Sequence, residues 1–298
     1  MKKLVITFPT LAGIMWGATG VFARVLKGYG MSNSTILETR MLLGVIILFI
    51  GCMIVDRSML KINMKDAGIF AAGGLLGNFG LSYFYTEATN QLSLSFAAVL
   101  LCTFPVFVML MSAVLFKEKI TIRKIGCMVL AFAGCVLVSG LFESGQADWT
   151  AFGVGIGILA AFCYALYSIF SKMARERGYS PITITLYFML LVSIVLAPFT
   201  DWQQIGQFVG EAPGANALFL LGHCLCAAVV PYVIYTYSMS FMDAGKASIL
   251  ASSEPMAAMV LGALIFDEMP TLLMVAGMFI TVAAIVILSL PEKDESSC

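Results

Sequence analysis

The chain has 298 residues, of which 60% are hydrophobic and 11% charged, against roughly 25% charged in a soluble domain. Formal net charge is zero, which removes any bulk attraction to nucleic acid. The charge deficit runs along the whole length, so a water-soluble body on a single anchor is excluded, and an all-α integral membrane protein is expected.

A helix needs about 20 apolar residues to cross a bilayer. Runs near that length predict ten transmembrane helices: Leu4–Leu26, Ile36–Val55, Ala67–Glu87, Leu94–Phe116, Ile122–Leu141, Ala151–Met173, Pro181–Thr200, Ala217–Phe241, Ala247–Phe266 and Leu272–Leu290. Lys2 and Lys3 resemble the start of a signal peptide, but the apolar run that follows continues to Ala23, too long for an h-region. Thr35 to Glu38 fits a capping box. Ser180-Pro181 places a cap residue before a proline at the first helical position. Gly13/Gly17, Gly73/Gly77 and Gly153/Gly157 have the four-residue spacing that lets helices approach closely. His223, Cys224 and Cys226 are adjacent along one helix and do not share a face, so a metal site is not read there, and the thiols are read as small buried hydrophobes.

Charge orients the chain. With the N-terminus cytoplasmic, fourteen of the seventeen Lys and Arg residues fall in inside segments; Arg24 and Lys27 fall outside, and Arg40 lies within the second helix. Cytoplasmic loops are enriched in Lys and Arg. Both termini are therefore expected in the cytoplasm, in a multi-pass protein of the cell membrane, and this alternation requires an even helix count.

An internal repeat divides the chain into 1–145 and 146–298. At an offset of 150, Ser93–Thr121 meets Asp243–Thr271 with eight identities in 29 positions, among them Pro105/Pro255, Phe116/Phe266 and Glu118/Glu268. Trp16 to Arg24 likewise resembles Tyr164 to Lys172. Each half holds five helices. Five is odd, so the second half enters the membrane inverted, a plan that recurs in secondary transporters with the binding site between the halves.

Trp16-Gly17, Pro105 with Glu118, and Glu254-Pro255 with Glu268, set in this two-fold pattern, resemble the drug/metabolite transporter superfamily and its EamA-type members. The resemblance implies ten helices as two inverted repeats around a central cavity lined by helices 1, 3, 4, 6, 8 and 9. It also implies gradient-driven transport of small metabolites, often amino acids.

Candidate residues follow from their depth. Glu254 lies seven residues inside the ninth helix, where a charge costs about 2.5–3.5 kcal/mol and usually faces a cavity or partner. It is read as a proton or cation site, with a helix-packing carboxyl as the alternative. Pro105 and Pro255 are candidate hinges, or static bends. Trp16, Tyr83, Tyr85, Tyr164, Tyr232 and Tyr235 are candidate substrate-binding aromatics, offering an apolar face and a polar tip, with packing as the alternative. Glu118 and Glu268 are read as interfacial acids, and Arg24 and Lys172 as interfacial anchors. Arg40 is read as snorkelling or paired with a nearby acid, with a substrate carboxylate as the alternative. His223 is read as a satisfied buried group. A cavity with one acid and few basic residues disfavours highly anionic solutes.

The reading is a secondary transporter, taken as an exporter, of neutral, zwitterionic or cationic metabolites. Its partners are a small-molecule solute, the lipid bilayer, a coupling proton or cation and, as an open alternative, a second copy of the chain. No cofactor, metal or catalytic residue is assigned. An integral-membrane enzyme or a receptor or scaffold is the competing class. No Walker-type loop occurs, and His223, the single histidine, has no GxSG companion.

Overall fold

The computed structural model describes residues 5–92, 94–142 and 150–290, and all regular structure within them is helical. Both termini, with Lys2, Lys3 and Lys293, lie outside the described residues, as do Leu4, Ser93 and the expected boundary between the halves at 145/146.

Helix α1 (Phe8–Gly17) gives way to α2 (Thr19–Gly28) at Ala18, so the expected first helix is broken. Helix α3 (Asn33–Val55) starts at Ser32, whose hydroxyl accepts from Thr35 N at 3.2 Å. The capping box at Thr35 is thus displaced by a better-placed serine. Glu38 is instead fully buried and accepts from Ser193 Oγ at 2.6 Å. A short α4 (Ala67–Ala71) leads through a π-helical stretch, Ala72–Phe79, into α5 (Gly80–Gln91).

Helices α6 (Leu94–Leu101) and α7 (Phe104–Leu115) are separated at residues 102–103, with Pro105 in the first turn of α7. Helices α8 (Ile122–Val138), α9 (Ala151–Glu176) and α10 (Pro181–Leu196) follow. Ser180 caps α10 as expected, accepting from Thr183 N at 3.0 Å.

The connector after α10 holds an unforeseen helix, α11 (Trp202–Glu211). Asp201 caps it by accepting from Gln203 N and Gln204 N at 3.1 Å. Phe208 packs it against Leu26, Met31, Ile36 and Leu220. The next helix starts at Pro213, earlier than expected, because proline suits the first helical turn. It runs as α12 (Pro213–Cys224), a π-helical stretch Leu225–Val229 and α13 (Val230–Ser238). Helix α14 (Ala244–Leu250), one 3-10 turn at Ala251–Ser253 and α15 (Glu254–Phe266) complete the next passage, and α16 (Leu272–Ser289) is last.

Eight of these passages are long and apolar enough to cross a membrane: Asn33–Val55, Met64–Gln91, Phe96–Leu115, Ala151–Glu176, Pro181–Phe199, Pro213–Ser238, Ala244–Phe266 and Leu272–Ser289. Residues 8–28 and Ile122–Val138 add two further helical stretches.

Packing is reciprocal between the halves. Helix α1 lies against α13 and α15, while α9 lies against α5, α6 and α7. Helices α8 and α16 pack side by side and antiparallel. Arg123 at the start of α8 bonds the Leu290 carbonyl at 2.7 Å, while Gly134 near its end abuts Gly277 and Thr281.

Candidate functional site

The site is built on the break between α14 and α15. Pro255 has no N–H to give to the carbonyl four residues back, and the helix restarts at Glu254 after a single 3-10 turn. Glu254 is therefore the first residue of α15, a correction to its expected place seven residues into an unbroken helix. Helix α1 presses onto this break. A Cβ on Gly13 would lie 2.5 Å from the Ala251 carbonyl oxygen, and one on Gly17 would lie 2.6 Å from that of Glu254. Only glycine fits at both positions. Ser253 Oγ also donates to the Thr10 carbonyl at 2.8 Å.

This contact sets Trp16 beside Glu254 on the wall of a cavity of about 650 Å³. Tyr85, Leu101, Cys102, Phe104, Cys135, Tyr164 and Pro255 also line it. The Tyr164 side chain shares the cavity wall with Glu254, and the Tyr164 ring stacks on Phe104 with centroids 4.0 Å apart. A side lobe of about 240 Å³ shares Trp16, Tyr85, Tyr164 and Glu254 and adds Arg40, Ser82, His223 and Tyr232.

Of the aromatics singled out from the sequence, Trp16, Tyr85, Tyr164 and Tyr232 line this space. Tyr235 does not. It is fully buried behind Trp16, 5.3 Å between centroids, and its hydroxyl pairs with Ser168 Oγ at 3.0 Å. Tyr83 faces away, 57% exposed and stacked on Phe79. Tyr83 and Tyr85 are two residues apart on one helix and so cannot share a face. Pro105 is buried at the start of α7, in the position equivalent to Pro255.

Two residues read as ordinary from the sequence belong to the cavity wall. His223 is buried, stacked on Phe22 at 5.2 Å, and neither ring nitrogen has a hydrogen-bond partner. Arg40 neither snorkels nor pairs. Its Nε is buried without a partner, and none of the ion pairs among the described residues includes it. Depth in the second helix was the only available signal.

The matched end residues form two ion pairs. Arg24 bonds Glu268 at 2.5 Å and lies 4.3 Å from the Phe266 ring centroid. Lys172 bonds Glu118 and lies 5.1 Å from that of Phe116. Each acid follows a residue in the left-handed conformation, Lys117 and Asp267, both at φ 55°. That turn brings the Glu118 N–H to the Ser112 carbonyl and the Glu268 N–H to the Gly262 carbonyl, each at 3.4 Å. Arg24 and Glu268 line the cavity and are 52% and 54% exposed, whereas Lys172 and Glu118 are 10% and 7% exposed and lie outside its wall. Glu118 also accepts from Ala244 N at 2.9 Å, at the start of α14.

The profile of the EamA-like transporter family matches residues 3–140 and 151–290. A protein of Archaeoglobus fulgidus named an uncharacterized transporter is 28% identical over 93% of both chains. The uncharacterized transporter YdfC of Bacillus subtilis is 23% identical over 95% of this chain and 90% of its own. One solved crystal structure covers 95% of each chain with a TM-score of 0.77 at 16% identity, a likeness of fold. The chain belongs to the EamA-like transporter family, within the drug/metabolite transporter superfamily, and is a multi-pass membrane transporter.

Proposed function

We propose that this chain is a secondary transporter of small organic metabolites, neutral, zwitterionic or cationic, that works by alternating access between two inverted five-helix halves. The observation that carries the reading is the pair of equivalent ion pairs in unequal states. Arg24–Glu268 stands open at the cavity mouth, and Lys172–Glu118 is buried at the opposite end of the helices. If the halves exchange conformations, the two pairs exchange states and the cavity changes its side of access. The antiparallel packing of α8 on α16, equivalent helices at the 150-residue offset, supports an inverted relation. Counting residues 8–28 and Ile122–Val138 as crossings brings the total to ten.

On this reading both termini are cytoplasmic and the cavity opens outward. Cytosolic reporter activity at Met1 and at Cys298 is the expected result, and an outside signal from either reverses the orientation.

Glu254 is the proposed coupling group, because it lines both the cavity and its side lobe, whereas the other lining acid, Glu268, is paired with Arg24. Proteoliposomes holding the purified protein test this. Wild type should accumulate solute down an imposed proton or cation gradient. Glu254→Gln, which keeps shape and loses the titration, should fold and exchange solute but no longer accumulate it. Gradient-driven accumulation by Glu254→Gln equal to wild type would remove the carboxylate from coupling. Failure of the wild type to move neutral, zwitterionic and cationic solutes alike would sink the substrate reading.

A further inference from the structure

We infer that the side lobe of the cavity is a carboxylate-binding subsite centred on Arg40, separate from Glu254. The inference deepens the transport reading by naming one substrate group and the residue that selects it.

A guanidinium carries five N–H donors and accepts nothing. Within a membrane such a group ordinarily finds an acid or backbone carbonyls. Arg40 lines the side lobe, its Nε is buried without a partner, and it makes no ion pair among the described residues. Glu38 lies on the same helix but is bonded to Ser193. Glu254 shares the lobe and interacts electrostatically with Arg40, yet the two are not in ion-pair contact. The two charges are held apart across the space a solute would enter.

Three other polar groups of the lobe are already engaged as donors. Ser82 Oγ donates to the Asn78 carbonyl at 3.1 Å, and Thr86 Oγ1 donates to the Ser82 carbonyl at 2.8 Å. Tyr232 donates to Asn78 Oδ1 at 3.2 Å. Arg40 Nε, the His223 ring and the Trp16 indole N–H are left buried without partners on the wall of the lobe. A planar carboxylate matches the guanidinium fork and can be held by two parallel bonds. Glu254 at the junction of lobe and main cavity then suits a cationic group on the same molecule, and the apolar body would lie along Trp16, Tyr85 and Phe104.

The test compares leucine, leucinamide and 3-methylbutylamine on the full-length protein. Thermal unfolding of the wild type in detergent should be shifted upward by leucine and much less by the other two. Equal shifts for the carboxylate and the carboxamide, including no shift from either, overturn the subsite. In proteoliposomes, Arg40→Gln should lose about tenfold to a hundredfold of the preference for leucine over leucinamide, the range expected for a charge-assisted hydrogen bond. Arg40→Lys should recover part of it. Where Arg40→Gln does not fold, Arg40→Lys and the wild-type shifts decide. If wild type and Arg40→Gln move all three compounds with the same preference, the subsite fails and the transport reading stands. If leucine stabilises the wild type selectively but no compound is moved, the subsite stands and the transport reading fails.

Discussion

The two ends of the helix bundle are built from the same parts and behave differently. At one end Arg24, Glu268 and Phe266 meet at the cavity mouth; at the other Lys172, Glu118 and Phe116 meet in the interior. The buried pair has company. Lys124 binds Asp243, Arg177 binds Asp66 at 2.5 Å, and Tyr179 donates to Asp66 at 2.8 Å, each pair with one buried and one more exposed member. The lesson is that equivalent residues acquire unequal energetic weight from solvent alone. A charge pair in water is worth about 0–1 kcal/mol, whereas removing one partner of a buried pair strands the other at a cost of about 3–5 kcal/mol.

Glu118→Ala gives the largest expected effect on this comparison. It should destabilise the protein by about 3–5 kcal/mol, because it strands Lys172 and frees the N–H groups of Ala244 and Gly245. Denaturant or thermal unfolding in detergent measures it. A cost no larger than that of Glu268→Ala would erase the difference between the ends.

Next in size is Gly17→Ala. Its methyl group would meet the Glu254 carbonyl at 2.6 Å and Ala257 Cβ at 2.7 Å, an overpacking that costs about 1–3 kcal/mol. The α1–α15 contact that carries the open pair should loosen, and transport should fall with it. Gly20→Ala is the control, since a Cβ there meets nothing within 4 Å. Added methyl at Gly20 should stabilise by about 0.5–1 kcal/mol through the helix backbone. Matching losses from both variants would mean that the close approach of α1 to α15 is not what governs Gly17.

Glu268→Ala should cost no more than about 1 kcal/mol. The smallest effect is the salt dependence of that cost. At 1 M salt the Debye length falls to about 3 Å, so the contribution of the Arg24–Glu268 pair should shrink toward zero while that of Lys172–Glu118 persists. Parallel salt titrations of the two alanine variants read the difference directly, and a salt-insensitive Glu268→Ala would mark the open pair as shielded.

Much of the site was legible without coordinates. The 150-residue offset had already aligned Glu118 with Glu268 and Pro105 with Pro255, and the neighbouring match had aligned Arg24 with Lys172. What it left out was who meets whom, because Arg24 and Glu268 are 244 residues apart. The facing of side chains was also hidden. Tyr83 and Tyr85 looked alike, as did Arg40 and any other charge near a helix start. Lipid is as apolar as a protein core, so a membrane helix that is hydrophobic all round carries no moment to say which face turns inward. Proline was visible, but its consequence at Glu254 depended on Gly13 and Gly17 admitting α1 to the opened turn.

By itself, then, the sequence determined an apolar multi-helix chain, its repeat, its family likeness and the residue types available for a site. Those properties are local or periodic, and they follow from hydration, proline geometry and the thickness of a bilayer. Tertiary structure alone decided that Arg40 faces a cavity without an acid in ion-pair contact, that one Glu38 oxygen accepts from Ser193 on another helix, and that one ion pair is wet while its twin is dry. Each of these depends on which distant segments close around a group and whether water is excluded, and no local pattern encodes that.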